Sequence, residues 1–178
     1  MENSQAILAV DLDHTLIDTD LINIGLRYLF FRKIYLIPYL FILFILKGKT
    51  RAKKFLYDNT IISIKNLPYN ASIINFIKSN RKKYKYTILI SGSYYRYVES
   101  ISSYLNIFDL SVGTTLTTNM ISLNKVKYIK KKFHNIVFDY IGDSKKDIPI
   151  WEESRKAFVV DRRNITKHLK HIDYKIIS

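Results

Sequence analysis

Short apolar runs that stop abruptly at polar turns constrain this chain more than any other feature. "AILAV" (6–10), "YTILI" (86–90), the middle of "NIVFDYIGDS" (135–144) and "KAFVV" (156–160) are four such runs. They are too short for helices, and their near-continuous apolar character suits strands buried on both faces of a parallel sheet. Between them lie segments with helical spacing. "LPYNASIINFIKSNRKK" opens with Pro68 and Asn70 and repeats apolar residues at Ile73, Ile74, Phe76 and Ile77. "YYRYVESISSYL", "NKVKYIKKKF" and "KKDIPIWEES" read as further helical stretches, and "FDLSVGT" as a short strand with its turn. Strands alternating with helices predict an α/β fold, a Rossmann-like three-layer parallel sheet covered on both faces. "KAFVV" is expected to be the last strand.

A second constraint is where the carboxylates fall. In a parallel sheet, ligands gather beyond the carboxyl ends of the strands. "DLDHT" follows the first run, "SGS" the second and "GDSKKD" the third strong one. The fold would therefore carry Asp11, Asp13, Ser91, Gly92, Asp143 and Asp147 to one rim. Four carboxylates there repel each other unless a cation sits among them. Oxygen ligands alone select a hard ion, and a few carboxylates with waters and a phosphate suit octahedral Mg²⁺.

The region from about 20 to 62 is helix-like, with breaks expected at Pro38 and at "KGK" (47–49). Its stretch "IYLIPYLFILFIL" (34–46) holds 13 uncharged residues, short of the roughly 20 a bilayer span needs. Extending back to Ile24 brings in Arg27, Arg32 and Lys33. A helix pair that packs internally or touches a membrane fits better than a span, and Arg32, Lys33, Lys47, Lys49 and Arg51 suit an anionic lipid surface. With 178 residues, 48% of them hydrophobic and 25% charged, the chain supports one domain with a core and a small subdomain. No cysteine is present, which excludes disulfides and thiolate metal sites. The opening "MENSQAILAVD" has no secretion-leader pattern, so a cytoplasmic setting is expected. The formal charge of +14 raises nucleic acid as a partner, but lysines recur along helical faces and solvation explains them more simply. "SYYRY" could stack bases, yet its place after a strand end reads better as a helix start. His168 and His171 have no third ligand nearby in sequence, and Trp151 reads as core.

"DLDHT", "SGS", a lysine at a helix start and "GDSKKD", in that order and each after an apolar run, resemble the four motifs of the haloacid dehalogenase superfamily from about residue 7 to 161. The resemblance implies a phosphatase that hydrolyses a phosphate monoester through a phosphoaspartyl intermediate on Asp11. Asp13 would be general acid and base, with a raised pKa owed to neighbouring carboxylates. It implies Mg²⁺ held by Asp11, the carbonyl of Asp13 and Asp143, with Asp147 acting through water or orienting Asp143. Ser91, the Gly92 amide and a lysine would bind the phosphoryl group. Lys125 is preferred to Lys127 because Asn124 is a plausible helix cap. Thr15 would fix the loop, and His14 stands where the family often has glycine. Residues 20–66 occupy the place of a small helical type-one cap, leaving 1–19 and 67–178 as the core. Apolar Leu36, Leu40, Phe41 and Phe44 in that insertion suit a partly apolar substrate, or else simply pack together.

"VDLDHTLIDTDL", "LKGKTRAKKFL", "LPYNASIINFI" and "FDYIGDSKKDIPIWEESRKAFVV" are similar to the phosphatase-like domain fused to UbiA-like polyprenyltransferases. That resemblance implies a small phosphorylated substrate, an isoprenoid or lipid phosphate among the candidates, peripheral membrane contact through residues 24–46, and a membrane prenyltransferase as partner. The transferase activity itself is not expected here, since "RRNITKHLKHIDYKIIS" is followed by no multi-span region. A regulatory or binding module with little turnover is the competing expectation.

Overall fold

A computed structural model describes residues 6–134, 136–162 and 164–177. The start of the stretch read for a leader, residues 1–5, lies outside the described residues. Six strands run parallel: β1 (Ile7–Val10), β2 (Tyr86–Tyr94), β3 (Leu110–Thr114), β4 (Phe138–Gly142), β5 (Lys156–Val159) and β6 (Tyr174–Ile176). Their spatial order is β3-β2-β1-β4-β5-β6. The order reverses between β1 and β4, the place where a doubly wound sheet opens a crevice at its carboxyl edge.

The apolar runs are uninterrupted because each strand feeds two cores. From β1, Leu8 and Val10 join Leu89, Ile73, Ile77 and Val98 on one face. Ile7 and Ala9 join Ile88, Ile90, Val126 and Trp151 on the other. The covering helices are α3 (Ala71–Asn80) and α4 (Tyr95–Leu105) on the first face, and α5 (Leu123–Lys132) and α6 (Ile148–Trp151) on the second. Asn70 starts α3 by accepting the amides of Ser72 and Ile73. Trp151, 1% exposed, is core as its sequence context suggests.

The remaining helices, α1 (Leu21–Arg32) and α2 (Ile37–Asn59), form a bent pair with its own apolar cluster of Leu29, Leu40, Ala52 and Leu56. The chain leaves the sheet and returns to it at one place. The Asp18 amide donates to the Pro68 carbonyl at 2.7 Å, and the Asn70 amide to the Leu16 carbonyl at 2.9 Å. The pair turns by 118° after Arg32, and Gly48 (φ 79°) interrupts α2 where "KGK" predicts a break. Pro38 does not break a helix as expected. It sits in the first turn of α2, where its missing N–H costs nothing. Among the described residues no single helix is long and apolar enough to cross a membrane.

Three other expectations change. The second strand does not stop at Ile90 but runs on to Tyr94, with a register shift against β3 that accommodates "SGS". "KAFVV" is not the last strand, because β6 pairs beyond it. All three β6 residues are exposed, so no apolar run marked it, and buried Ile165, Leu169 and Ile177 hold the tail in place instead. Asn124 does not cap α5. Ser122 precedes the helix at φ 48°, and the Asn124 side chain donates through Nδ2 to the Asn119 carbonyl at 2.8 Å.

Candidate active site

Register decides which side chains can meet. Val10 lies opposite Leu89 on one side and Ile141 on the other. Asp11, Ser91 and Asp143 therefore emerge within a residue or two of the same level at the carboxyl edge. Asp11, Asp143 and Asp147 each offer a carboxylate oxygen within 4.8 Å of the others, and all three are buried. The Lys125 ammonium donates to Asp11 Oδ1 at 2.8 Å and to the Tyr140 hydroxyl at 2.7 Å, and lies 3.7 Å from Asp147. Lys127 is exposed on the same helix. Of the two sequence candidates, the rim receives Lys125.

Asp147 is fixed more tightly than any other member. Its Oδ2 accepts from the Ser144 hydroxyl at 2.9 Å, the Ser144 amide at 3.1 Å and the Asp143 amide at 3.3 Å. Its Oδ1 accepts from the Tyr140 hydroxyl at 2.7 Å. This fold-back requires glycine at 142, since a Cβ there would lie 2.9 Å from the Asp147 carboxyl and 2.8 Å from the Tyr140 ring. Thr15 is fully buried and its hydroxyl points at Asp143 Oδ1 from 3.5 Å, so it braces the site across the loop. His14 takes φ 60°, a left-handed conformation natural to glycine.

Asp13 lines the same cavity as the trio but is held by other partners. It accepts from the Leu21 amide at 3.0 Å, the Ser93 hydroxyl at 2.7 Å and the Ser91 hydroxyl at 3.2 Å. Its side chain is thus at the rim but not among the three carboxylates that lie within 4.8 Å of one another. Two residues on from Asp11, it points at the amino end of α1 and at β2. Burial raises its pKa first, and the charge of Asp20 raises it second, while the three hydrogen bonds pull the other way. Desolvation, more than neighbouring carboxylates, is the main cause. Asp11 is pushed up to about 7 by burial, against the pull of Lys125 and with the repulsion of Asp147 and Asp13. Burial works against the charge of Lys125, yet Asp11 and Asp147 overcome it and leave the ammonium more firmly protonated than usual.

Ser91 is fully buried, with its hydroxyl turned to Asp13 and accepting the Ser93 amide at 2.9 Å. Gly92 and Ser93, rather than Ser91, line the cavity of about 130 Å³ that opens over Asp11, Asp13, Asp143 and Lys125. A side chain at Gly92 would collide with Ile121 at 2.7 Å and close that wall. One functional candidate escaped sequence reading. Lys53 of α2 reaches down to the Gly92 carbonyl at 2.5 Å and Asn119 Oδ1 at 2.7 Å, and lines the cavity. Burial lowers its pKa to about 8, with Lys146 and Lys49 adding to the effect and Asp13 opposing it. It is one lysine among many in "LKGKTRAKKFL", and only the return of α2 onto the sheet distinguishes it. Tyr140 was likewise hidden, as an aromatic in a buried strand.

The cluster fits a hard divalent cation. Its donors are carboxylate oxygens within mutual reach, and its acidic charge exceeds that of the lysine it contacts. No protein-family model matches the chain. Among curated proteins it is 30% identical over 157 residues to an uncharacterized protein, y4nM, of Sinorhizobium fredii (strain NBRC 101917 / NGR234). The match covers 86% of this chain but only 29% of that relative's length. Among solved structures, a Bordetella pertussis Tohama I protein of unknown function aligns with a TM-score of 0.72 at 12% identity, over 97% of this chain and 98% of the other. A phospho-aspartyl intermediate analogue of phosphoserine phosphatase aligns at 0.65 and 15% identity, over 97% and 92%. A haloacid dehalogenase superfamily hydrolase from Ehrlichia chaffeensis aligns at 0.55 and 22% identity, over 90% and 89%. The fold of this chain is the haloacid dehalogenase fold.

Proposed function

We propose that the protein is a Mg²⁺-dependent phosphatase that hydrolyses a phosphate monoester through a phosphoaspartyl intermediate on Asp11. The observation that carries this is the meeting of buried Asp11, Asp143 and Asp147 with Lys125 under a cavity at the sheet's switch point. Mg²⁺ held by Asp11, Asp143 and the Asp13 carbonyl, with Asp147 behind them, would offset the repulsion between a carboxylate and a phosphate. Asp11 attacks phosphorus, and the bond to the ester oxygen breaks. Asp13, whose burial favours holding a proton, gives it to the departing oxygen. The Asp13 carboxylate then takes a proton from water as that water attacks the phosphoaspartate. Phosphate leaves and Asp11 is regenerated. Lys125, the Gly92 amide and Ser91, once its hydroxyl turns from Asp13, neutralise and orient the phosphoryl oxygens.

Residues 20–66 serve in this reading as a helical cap on a core of 1–19 and 67–178. The adjacent exit and return at Asp18 and Pro68 support it, as does Lys53 reaching from α2 to Gly92. A cap of this kind excludes water from the phosphoryl group. The test is phosphate release from p-nitrophenyl phosphate. Turnover is expected with Mg²⁺ and lost with a chelator, and Asp11→Asn lowers it by about 10⁴-fold or more. Turnover that survives Asp11→Asn overturns the assignment.

A second reading has one observation in its favour. Phe31, Ile34, Tyr35, Phe41, Ile45 and Leu46 are exposed on the bent pair, beside Arg32 and Lys47. That face suits a binding module seated at an anionic membrane or on a membrane partner, with little turnover. Such a module would release little or no phosphate in the same assay.

A further inference from the structure

A second cavity, of about 490 Å³, lies between α1 and α2. Its walls include Leu26, Leu40, Phe44, Ala52 and Leu56, and its charged groups are lysines, Lys49, Lys53 and Lys146. It adjoins the smaller cavity over Asp11. Ile22, Lys53, Ile121 and Lys146 line both. The arrangement is polarised along one path. Carboxylates and Lys125 stand at the bottom, two lysines at the junction, and aliphatic and aromatic side chains beyond. It is an open groove, with Leu26, Phe41 and Phe44 exposed in its wall, and an apolar surface of this extent leading into a charged cavity suits an apolar ligand.

We propose that this cavity binds the apolar chain of the substrate, so that the phosphate monoester turned over at Asp11 is amphiphilic. The inference rests on the hydrolase reading above and names the substrate class of that same site. The phosphate enters the small cavity, Lys53 and Lys146 flank the anionic head at the junction, and the hydrocarbon lies between α1 and α2. Continuity with the phosphate cavity favours this occupant over a membrane surface or a second copy. Neither of those would need a passage shared with the catalytic aspartates. Chain length, rather than the identity of a polar leaving group, then sets specificity. Full burial of one methylene is worth about 0.8 kcal/mol, close to a fourfold change in kcat/KM.

The test uses ethyl, butyl, hexyl and octyl phosphate below their micellar concentrations, with the full chain and Mg²⁺. The value of kcat/KM is expected to rise about three- to fourfold per methylene until the cavity is filled. Leu26→Gln with Phe44→Gln, at positions 38% and 44% exposed and so tolerant of change, should lower the octyl-to-ethyl ratio at least about tenfold. Ala52→Leu, which narrows the cavity from its buried side, should lower the ratio as well. Calorimetric binding of octyl and ethyl phosphate to Asp11→Asn keeps the two claims apart. Turnover with no dependence on chain length overturns the tail site and leaves the hydrolase standing. Selective binding of octyl phosphate with no turnover of any ester by the unmodified chain does the reverse. Octanol binding as tightly as octyl phosphate, or a dimer that octyl phosphate does not dissociate, also overturns the tail site, because the apolar wall would then serve a lipid surface or a second copy.

Discussion

Strand β4 carries a buried aspartate near its amino end and delivers another just past its carboxyl end, and the protein treats them in opposite ways. Asp139 is fully buried and accepts from Arg155 Nε and Nη2, each at 2.8 Å, and from the Tyr84 hydroxyl at 2.7 Å. One carboxylate meets one guanidinium in a bidentate fork, which is how a buried charge is made tolerable. Asp143, four residues on, is packed with Asp11 and Asp147, and the Lys125 ammonium pairs with those two neighbours. The first arrangement is complete within the protein and serves stability. The second concentrates like charge and holds it in place with glycine, tyrosine and a capping box, at a cost to stability that a divalent cation would relieve.

The contrast is sharpest in a pair of substitutions. Asp139→Asn should destabilise the chain by about 2 kcal/mol in denaturant unfolding, since it strips Arg155 and Tyr84 of a charged acceptor. Asp143→Asn should leave the metal-free chain as stable or more so, while weakening Mg²⁺ at least about tenfold. Equal destabilisation by both would erase the distinction between the two ends. Next in size is a pH effect. Without a divalent ion, Asp11 titrates near 7 when folded but near 3.8 otherwise, chiefly because burial disfavours its charge. Between those values the folded chain keeps a proton that the unfolded chain has released. Asp11 therefore makes stability fall as pH rises through that window and level off above 7. Thermal unfolding from pH 4 to 8, with and without Mg²⁺, should show the stabilisation by Mg²⁺ growing with pH. A constant increment across that range would contradict it. The smallest expected change is Tyr140→Phe. It removes a donor to Asp147 and an acceptor of Lys125, and a severalfold loss of Mg²⁺ affinity in a direct titration is the outcome to look for.

The difference between the ends of β4 also shows what could be read from the chain alone. β1, β4 and β5 announce themselves because burial on both faces leaves no room for polar alternation. β6 does not, because an exposed edge strand of three residues leaves no such mark. Asp11, Asp13, Asp143 and Asp147 are legible from their places after apolar runs; the motif order leaves Lys125 and Lys127 both open, and the cap at Asn124 that favours Lys125 is not formed. The partners that Asp13 finds, Ser93 and the amino end of α1, are not legible, since spacing fixes the level of a side chain and not its direction. Lys53 and Tyr140 join the site through packing between segments remote in sequence, and nothing in their local sequence sets them apart. Asp139 lies inside the run rather than after it, and its structural task becomes visible only with Arg155 and Tyr84 beside it.

Asp11, Asp143 and Asp147 lie close enough together to share one divalent ion. Calorimetric titration of the full chain with Mg²⁺ at pH 8 tests this directly. One saturable site, lost or weakened at least about tenfold in Asp143→Asn and retained in Asp139→Asn, is the expected result. No saturable binding, or binding indifferent to Asp143, would contradict it.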